Sequence, residues 1–450
     1  MLKTTLSSVA VVLLACTIVR AETPPVKVFI LAGQSNMEGK ARMRVMDYQA
    51  FDGENRERYA KFTDGERTWK VRDDVWVKFF DRHGKLTVGY GSPDCVGPEL
   101  DFGFTVGDHV DEQVLIIKTA WGGKTLGRDF RPPSSGLPDE AVLKEQLEGA
   151  LKRNPDATME EIVERYGFYY REMVKEVRDT LENLAELFPE YKGQGYEIAG
   201  FVWFQGWNEQ YNETYIVNYD RNLQNLIRDV RKEFGVPKMP FIVGEFGCDG
   251  PHGRYVSQAK LDIRKAQAAF KKNPEFQGNA DFVPTTCYWD YDIEKMYEDT
   301  KKIRGGLASG SMTEEQAQAI RDLFAKHGSD KGYHYLGSPK IYCDMGRAFG
   351  EGMVGLLKIQ AAAKKGPQEI KTPEIIRILQ KESIRMIGTT HSQHIFIHLK
   401  DGRKFQGKYV HAEAGKYKED KNLFDILNLA MHIIKNRPDD AAKDIMIMCE

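Results

Sequence analysis

The chain has 450 residues, with 64 Lys and Arg against 66 Asp and Glu and a formal net charge of −2. Such a length exceeds what one small core needs; it allows two or three domains, or one large α/β domain with an appendage. The near balance of charge provides no global field toward nucleic acid or an anionic membrane surface, so neither is expected as a partner.

At the amino terminus, Lys3 precedes the apolar stretch Val9–Ala15, and Val19-Arg20-Ala21 offers small residues where a signal peptidase needs them. Residues 1–21 read as a secretory signal peptide, too short to span a bilayer, which implies an exported protein, periplasmic or extracellular. Leu13-Leu14-Ala15-Cys16 also resembles a bacterial lipobox, which would tether the protein through a lipid on Cys16. Soluble and anchored forms both stay open. No later segment is long and apolar enough for an integral membrane span. Beyond the leader, Cys95, Cys248, Cys287, Cys343 and Cys449 are scattered and lack C-x-x-C spacing. They suggest neither a disulfide framework nor a zinc site; buried thiols are expected, and one isolated bridge is compatible with the spacing.

Apolar β-type runs then alternate with amphipathic helical runs. Strands are expected at Val26–Leu31, Val114–Lys118, Ile198–Phe204, Met239–Val243 and Asp281–Thr285, and helices at Tyr166–Leu187, Tyr215–Phe234, Val256–Lys272 and Thr313–His327. Within Tyr215–Phe234, Leu223, Leu226, Ile227 and Val230 form one apolar stripe. The alternation predicts a parallel sheet covered by helices, with ligands gathering at the carboxyl ends of the strands. Residues 137–165 are charged and helical and read as a peripheral insertion. The main domain is expected over 22–366 and a small α+β extension of unassigned role over 367–450. In that extension Pro373–Lys381 and Leu423–Lys435 read as helices, and 394–410 as a hairpin around Asp401-Gly402. His394 and His398 share one strand face there, and exposed hairpin residues are a better account of them than a metal site. Nothing in the chain sets an oligomeric state.

Polar motifs follow the strands. "GQSNM" (33–37) ends the first, "KTAWGGKT" (118–125) follows Val114–Ile117, and "WFQGWNE" (203–209) closes the third; "GSDKGYH" (328–334) precedes a helix through Gly350. Ester acyl transfer needs a serine with a histidine to take its proton, a carboxylate to fix that histidine, and donors aimed at the oxyanion. Ser35, His334, Gly122, Gly123 and Asn208 supply these types, although each taken singly is equally a turn, cap or structural residue. The serine follows the first strand and lacks the closing glycine of the G-x-S-x-G elbow, which separates this pattern from the α/β-hydrolase arrangement.

The blocks "FILAGQSNMEGKA", "KTAWGG", "VWFQGWNE" and "GSDKGYHYLG" resemble those of the SGNH hydrolases, and among them the sialate O-acetylesterase-like carbohydrate esterases, carbohydrate esterase family six and relatives. The resemblance runs over about residues 26–357. It implies a flavodoxin-like three-layer α/β/α fold and a serine esterase, needing no metal or other cofactor, that acts on O-acetylated carbohydrates. Carried over, Ser35 is the nucleophile and His334 the base; the Ser35 N–H, a Gly122 or Gly123 N–H and the Asn208 side chain form the oxyanion hole. Gln34, Gln205, Trp121 and Trp207 are expected at the substrate, with Tyr288 and Trp289 in or near the rim loops. The family's acid usually stands three residues before the histidine, whereas Asp330 stands four before His334. Relatives often carry a glutamate directly after Gln-Gly; here Trp207 holds that position, so Asp330 is the first candidate for the acid and Glu209 the second. The alternatives are a non-catalytic carbohydrate-binding or cell-surface protein on the same fold, or an esterase for longer acyl chains.

Overall fold

The computed structural model describes residues 23–53 and 55–364, and the backbone of 394–398, 404–408 and 448–449. The leader, with Cys16, the segments Pro373–Lys381 and Leu423–Lys435, and the Asp401-Gly402 turn lie outside the described residues.

Seven strands form one sheet: β1 (Val26–Gly33), β2 (Arg72–Phe79), β3 (Arg82–Leu86), β4 (Val114–Ala120), β5 (Tyr196–Phe204), β6 (Phe241–Gly244) and β7 (Ala280–Val283). Their order is β3-β2-β4-β1-β5-β6-β7, and every neighbouring pair is parallel except the β2–β3 hairpin. Leaving the hairpin aside, β4-β1-β5-β6-β7 is the 2-1-3-4-5 order of flavodoxin-like sheets. β4 is buried along its whole length and β1 nearly so, which is why both read as continuous apolar runs rather than alternating ones. The chain departs from β1 to opposite sides of the sheet, so the carboxyl end of β1 is the switch point where such folds bind ligands.

Helices flank the sheet in an α/β/α layering. The principal ones are α1 (Ser35–Glu38), α2 (Glu99–Gly107), α3 (Glu140–Leu151), α4 (Met159–Glu164), α5 (Phe168–Glu182), α6 (Glu213–Glu233), α7 (Gln258–Ala269), α8 (Tyr291–Ser309), α9 (Glu314–Ala325) and α10 (Pro339–Lys364). α6 buries the Leu223, Leu226, Ile227 and Val230 stripe and starts at Asn212, whose side chain accepts the Tyr215 N–H. Thr313 and Gln316 close a capping box at the start of α9. No helix among the described residues is long and apolar enough to cross a membrane.

Several boundaries differ from the sequence reading. Pro240 has no N–H to donate, and β6 starts at Phe241 rather than Met239. β7 ends at Val283, directly before Pro284. Asn183 leaves helical geometry (φ −108°, ψ 22°), so α5 stops at Glu182 and a short separate turn, Leu184–Leu187, follows. The β2–β3 hairpin carries no clear strand signal in the sequence, because Arg72-Asp73-Asp74 and Arg82-His83 mask its apolar residues. Helices α3 and α4 of the 137–165 segment pack on each other through Leu143, Ala150, Ile162 and Tyr166, a small cluster separate from the main core. Cys95, Cys248 and Cys343 are buried free thiols as expected, but Cys287 is exposed, in the loop after β7.

The chain divides into two compact units, Met1–Leu357 and Lys358–Glu450. In the second, His394–His398 pairs antiparallel with Lys404–Lys408 on one side and Met448–Cys449 on the other, and His394 lies opposite Lys408.

Candidate active site

At the switch point, β1 and β5 come so close that a Cβ on Gly33 would lie 2.0 Å from the Phe204 carbonyl oxygen. Only glycine fits there, and the chain turns directly into α1, which places Ser35 at the first position of a helix. The N–H groups of a first helical turn have no intrahelical acceptor, so the Ser35 N–H is available to an anion. The Ser35 side chain is largely enclosed, with the residue 7% exposed.

His334 and Asp330 lie in the loop before α10. A turn closed by the His334 N–H on the Lys331 carbonyl (2.9 Å) brings the Asp330 carboxylate to the imidazole, with Nδ1 2.9 Å from Oδ2. The four-residue spacing is therefore accommodated by the turn. Burial alone would raise the Asp330 pKa, but hydrogen bonds from His334 and the Lys331 N–H hold it below the usual carboxylate range. An ionised Asp330 only accepts, so Nδ1 carries a hydrogen, and in the neutral imidazole the lone pair is then on Nε2. Tyr335 (φ 48°) and Leu336 (φ 60°), directly after the histidine, are left-handed, at a cost of about 1–3 kcal/mol each. Burial of Tyr335 and two hydrogen bonds at its hydroxyl, with the Gly247 N–H (2.8 Å) and Thr285 Oγ1 (3.0 Å), hold this loop in shape.

Asn36, next to the serine, fastens the two halves of the site. Its Nδ2 donates to the Tyr333 carbonyl (3.0 Å), and its Oδ1 accepts from Tyr342 Oη (2.8 Å), which also reaches the His334 carbonyl (3.3 Å). Among the described residues no hydrogen bond joins Ser35 Oγ to His334 Nε2; catalytic hydrogen bonds of this kind often form only in the substrate complex.

Two loops face Ser35. A Cβ built on Gly122 would lie 3.7 Å from Ser35 Cβ, which puts the Gly122-Gly123 turn beside the serine. The Gly122 N–H, however, already donates to the Glu38 carboxylate. Of the two glycines expected as oxyanion donors, Gly122 thus has its N–H engaged within the protein, whereas Gly123 is left-handed (φ 74°) and open, with nothing within 4 Å of its Cβ position. Across the site, the Gly206 N–H donates to Gln34 Oε1 (3.1 Å) and Gln34 Nε2 donates to Asn208 Oδ1 (3.0 Å). With Oδ1 engaged, what Asn208 has left to offer is its Nδ2 donor, the atom an oxyanion requires.

Glu209 does not serve His334. Its fully buried carboxylate accepts the Leu126 and Gly127 N–H groups (2.5 and 3.0 Å) and Gln205 Nε2, and so staples the 122–127 loop to the Gly206–Asn208 loop. Burial outweighs these three donors and pushes its pKa up to about 7. Gln34 and Gln205, expected at the substrate, are each 2% exposed, and their amides are spent inside the protein. Gln205 bonds Lys124 O, Glu209 and Tyr219 Oη, so both glutamines shape the loops rather than line the pocket.

The aromatic residues divide. Trp207 is half-buried and packs on Tyr333 at 5.2 Å, which in turn meets the His334 ring at 4.5 Å, so it belongs to the wall beside His334. Trp121 is half-buried within a cluster of Phe80, Phe130 and Tyr169. Tyr288 is half-buried, whereas Trp289 is buried and donates through Nε1 to Glu294, which removes it from the rim. Sequence reasoning missed Asn36, Tyr342, Glu38 and the buried Lys118, whose ammonium donates to the Glu38 and Tyr90 carbonyls and to Glu99, each at 2.8 Å. The signal for the first was the GQSNM block itself; a lysine closing the apolar run Val114–Ile117 was the signal for Lys118.

A sequence model of the family described as carbohydrate esterase, sialic acid-specific acetylesterase, matches residues 25–283. The match includes Ser35, Gly122, Gly123 and Asn208 and ends before Asp330 and His334. No curated protein matches the chain. Among solved structures, a protein from Arabidopsis thaliana aligns at 14% identity with a TM-score of 0.39, covering 74% of this chain and 98% of its own. A novel carbohydrate acetylesterase from Xanthomonas citri aligns at 16% identity and TM-score 0.34, over 57% of this chain and 49% of that one. NanS aligns at 15% identity and TM-score 0.33, over 58% and 78% of the respective chains.

Proposed function

Because the chain belongs to the sialic acid-specific acetylesterase family of carbohydrate esterases, and is thus a carboxylic ester hydrolase, we propose that it is an exported serine esterase that removes O-acetyl groups from carbohydrates. In this reading Ser35 Oγ attacks the acetyl carbonyl while His334 Nε2 takes its proton, and Asp330 stabilises the imidazolium. The tetrahedral oxyanion is met by the Ser35 N–H, the Gly123 N–H and Asn208 Nδ2. Collapse expels the sugar hydroxyl, protonated by His334, and leaves an acetyl-serine. Water activated by the same histidine then releases acetate. The leader at residues 1–21 supplies the exported address.

The observation that carries the reading is the Asp330–His334 hydrogen bond of 2.9 Å, in a loop that Asn36, the residue beside Ser35, fastens through the Tyr333 carbonyl. The test is hydrolysis of p-nitrophenyl acetate and of an acetylated sugar by the wild type and Ser35→Ala, with mass spectrometry of the acid-quenched enzyme. A loss of about 10⁴- to 10⁶-fold in kcat and an acetyl adduct on the wild-type Ser35 peptide alone are expected. Wild-type rates in Ser35→Ala would overturn the assignment. Faster turnover of the butyrate than of the acetate ester would overturn the acetyl specificity.

A further inference from the structure

The contact between Gly122 and Glu38 is unusual for a site that must welcome negative charge. A carboxylate one helical turn beyond Ser35 reaches the glycine loop beside the serine, and a Cβ on Gly122 would sit 3.4 Å from Glu38 Oε1 and 3.7 Å from Ser35 Cβ. Left bare, that charge would oppose the oxyanion forming next to it. Glu38 is not bare. Lys40 Nζ lies 2.5 Å from its Oε2, and Ser92 Oγ donates to the same oxygen at 2.9 Å while also accepting from Lys40 at 2.8 Å. Both charged side chains are mostly shielded, with 12% of the Glu38 and 20% of the Lys40 side chain exposed. The main chain is fixed as well, because Lys118 Nζ donates to the Glu38 carbonyl at 2.8 Å.

We propose that Glu38 is a positioning residue of the oxyanion hole: it holds the Gly122 N–H so that the Gly123 N–H is presented to the oxyanion, and Lys40 neutralises it so that its charge does not penalise the transition state. Ser92 fixes the angle of the pair. The arrangement resolves the choice between the two glycines, since one N–H holds the loop and the next serves the reaction. The inference rests on the esterase reading of this site.

The three parts make different predictions. Glu38→Gln keeps an oxygen for the Gly122 N–H without the charge, and should retain kcat to within about 10-fold. Glu38→Ala removes the acceptor and should lower kcat by about 10- to 100-fold with KM unchanged. Lys40→Met leaves a partly buried carboxylate without its ion-pair partner a few ångströms from the oxyanion, worth about 10- to 100-fold in kcat. Glu38→Gln/Lys40→Met removes both charges and should recover most of what Lys40→Met lost. Thermal unfolding of each variant identifies any that fails to fold, and the Gln variants then carry the comparison. Recovery of kcat in the double variant, with KM flat across the series, supports the assignment. A Lys40→Met enzyme as fast as wild type, or a double variant no faster than Lys40→Met, overturns it. Failure of the esterase reading is distinguishable: there the wild type would not cleave p-nitrophenyl acetate, or Ser35→Ala would cleave it as well.

Discussion

Replacing Glu209 with glutamine tests the junction between the 122–127 loop and the Gly206–Asn208 loop, which the proposed mechanism uses for the oxyanion. Three donors, the Leu126 and Gly127 N–H groups and Gln205 Nε2, converge on this one carboxylate. Burial lifts its pKa from an ordinary 4.5 to about 7. Between those two values the folded protein keeps a proton that the unfolded chain has lost. Fewer protons in the unfolded state mean that the free energy of unfolding falls as pH rises through the window. The total is about 3 kcal/mol, fully incurred above about pH 7. Glutamine cannot titrate, and its NH₂ would face the Gln205 NH₂. Gln205 cannot simply flip, because its Oε1 accepts from Tyr219 Oη and its Nε2 donates to the Lys124 carbonyl. The variant should therefore carry a pH-independent loss of about 1–3 kcal/mol for an unsatisfied buried group. Urea unfolding of both proteins from about pH 5 to about pH 8 measures the two effects separately. Glu209→Gln should be clearly the less stable protein at the acid end and should gain on the wild type by about 2.5 kcal/mol across the range. Asp330 does not confuse the result. Its pKa is depressed, so its contribution is present above the ordinary value of 3.8 and is lost only as pH falls below it. Parallel stability curves for the two proteins would refute the reasoning.

Asp330→Asn should lower kcat by about 10³- to 10⁴-fold at near-normal stability, because an amide beside Nδ1 no longer enforces the tautomer that frees Nε2; a rate within tenfold of wild type would reject the dyad. Gln34→Leu should release the Asn208 amide and cost about 10- to 10²-fold in kcat with little change in KM, as steady-state kinetics on an acetyl ester will show. Gly337→Ala should destabilise by about 1–3 kcal/mol or more in thermal unfolding, since its φ is +59° and the new Cβ would lie 2.4 Å from Ser329 Oγ and 2.7 Å from the Asp330 N.

Much of this architecture was legible along the chain. Continuous apolar runs at β1, β4 and β5 announced a parallel sheet because strands buried on both faces cannot alternate. The Leu223 to Val230 stripe announced α6 because a helix covering that sheet needs one apolar face. Elements with mixed character were harder. β2 begins with Arg72-Asp73-Asp74, and its place near the edge of the sheet, flanked by β3, lets it carry charge that a central strand would not tolerate.

From its residues alone, the sequence determined which groups could do chemistry: a serine at the end of β1, a late histidine with a carboxylate nearby, glycines and an asparagine after β4 and β5. Those identities follow from covalent chemistry and local turn propensity, which need no partner across the fold. Only the tertiary structure decided the roles of the amides and carboxylates. Asp330 rather than Glu209 meets His334, Gln34 and Gln205 turn inward, and Glu38 takes the Gly122 N–H, because each choice depends on which donors and acceptors from distant segments must be satisfied in the same buried volume. Hydrogen bonding is pairwise and directional, and its partners here are separated by up to 306 residues along the chain. No local pattern encodes such a match.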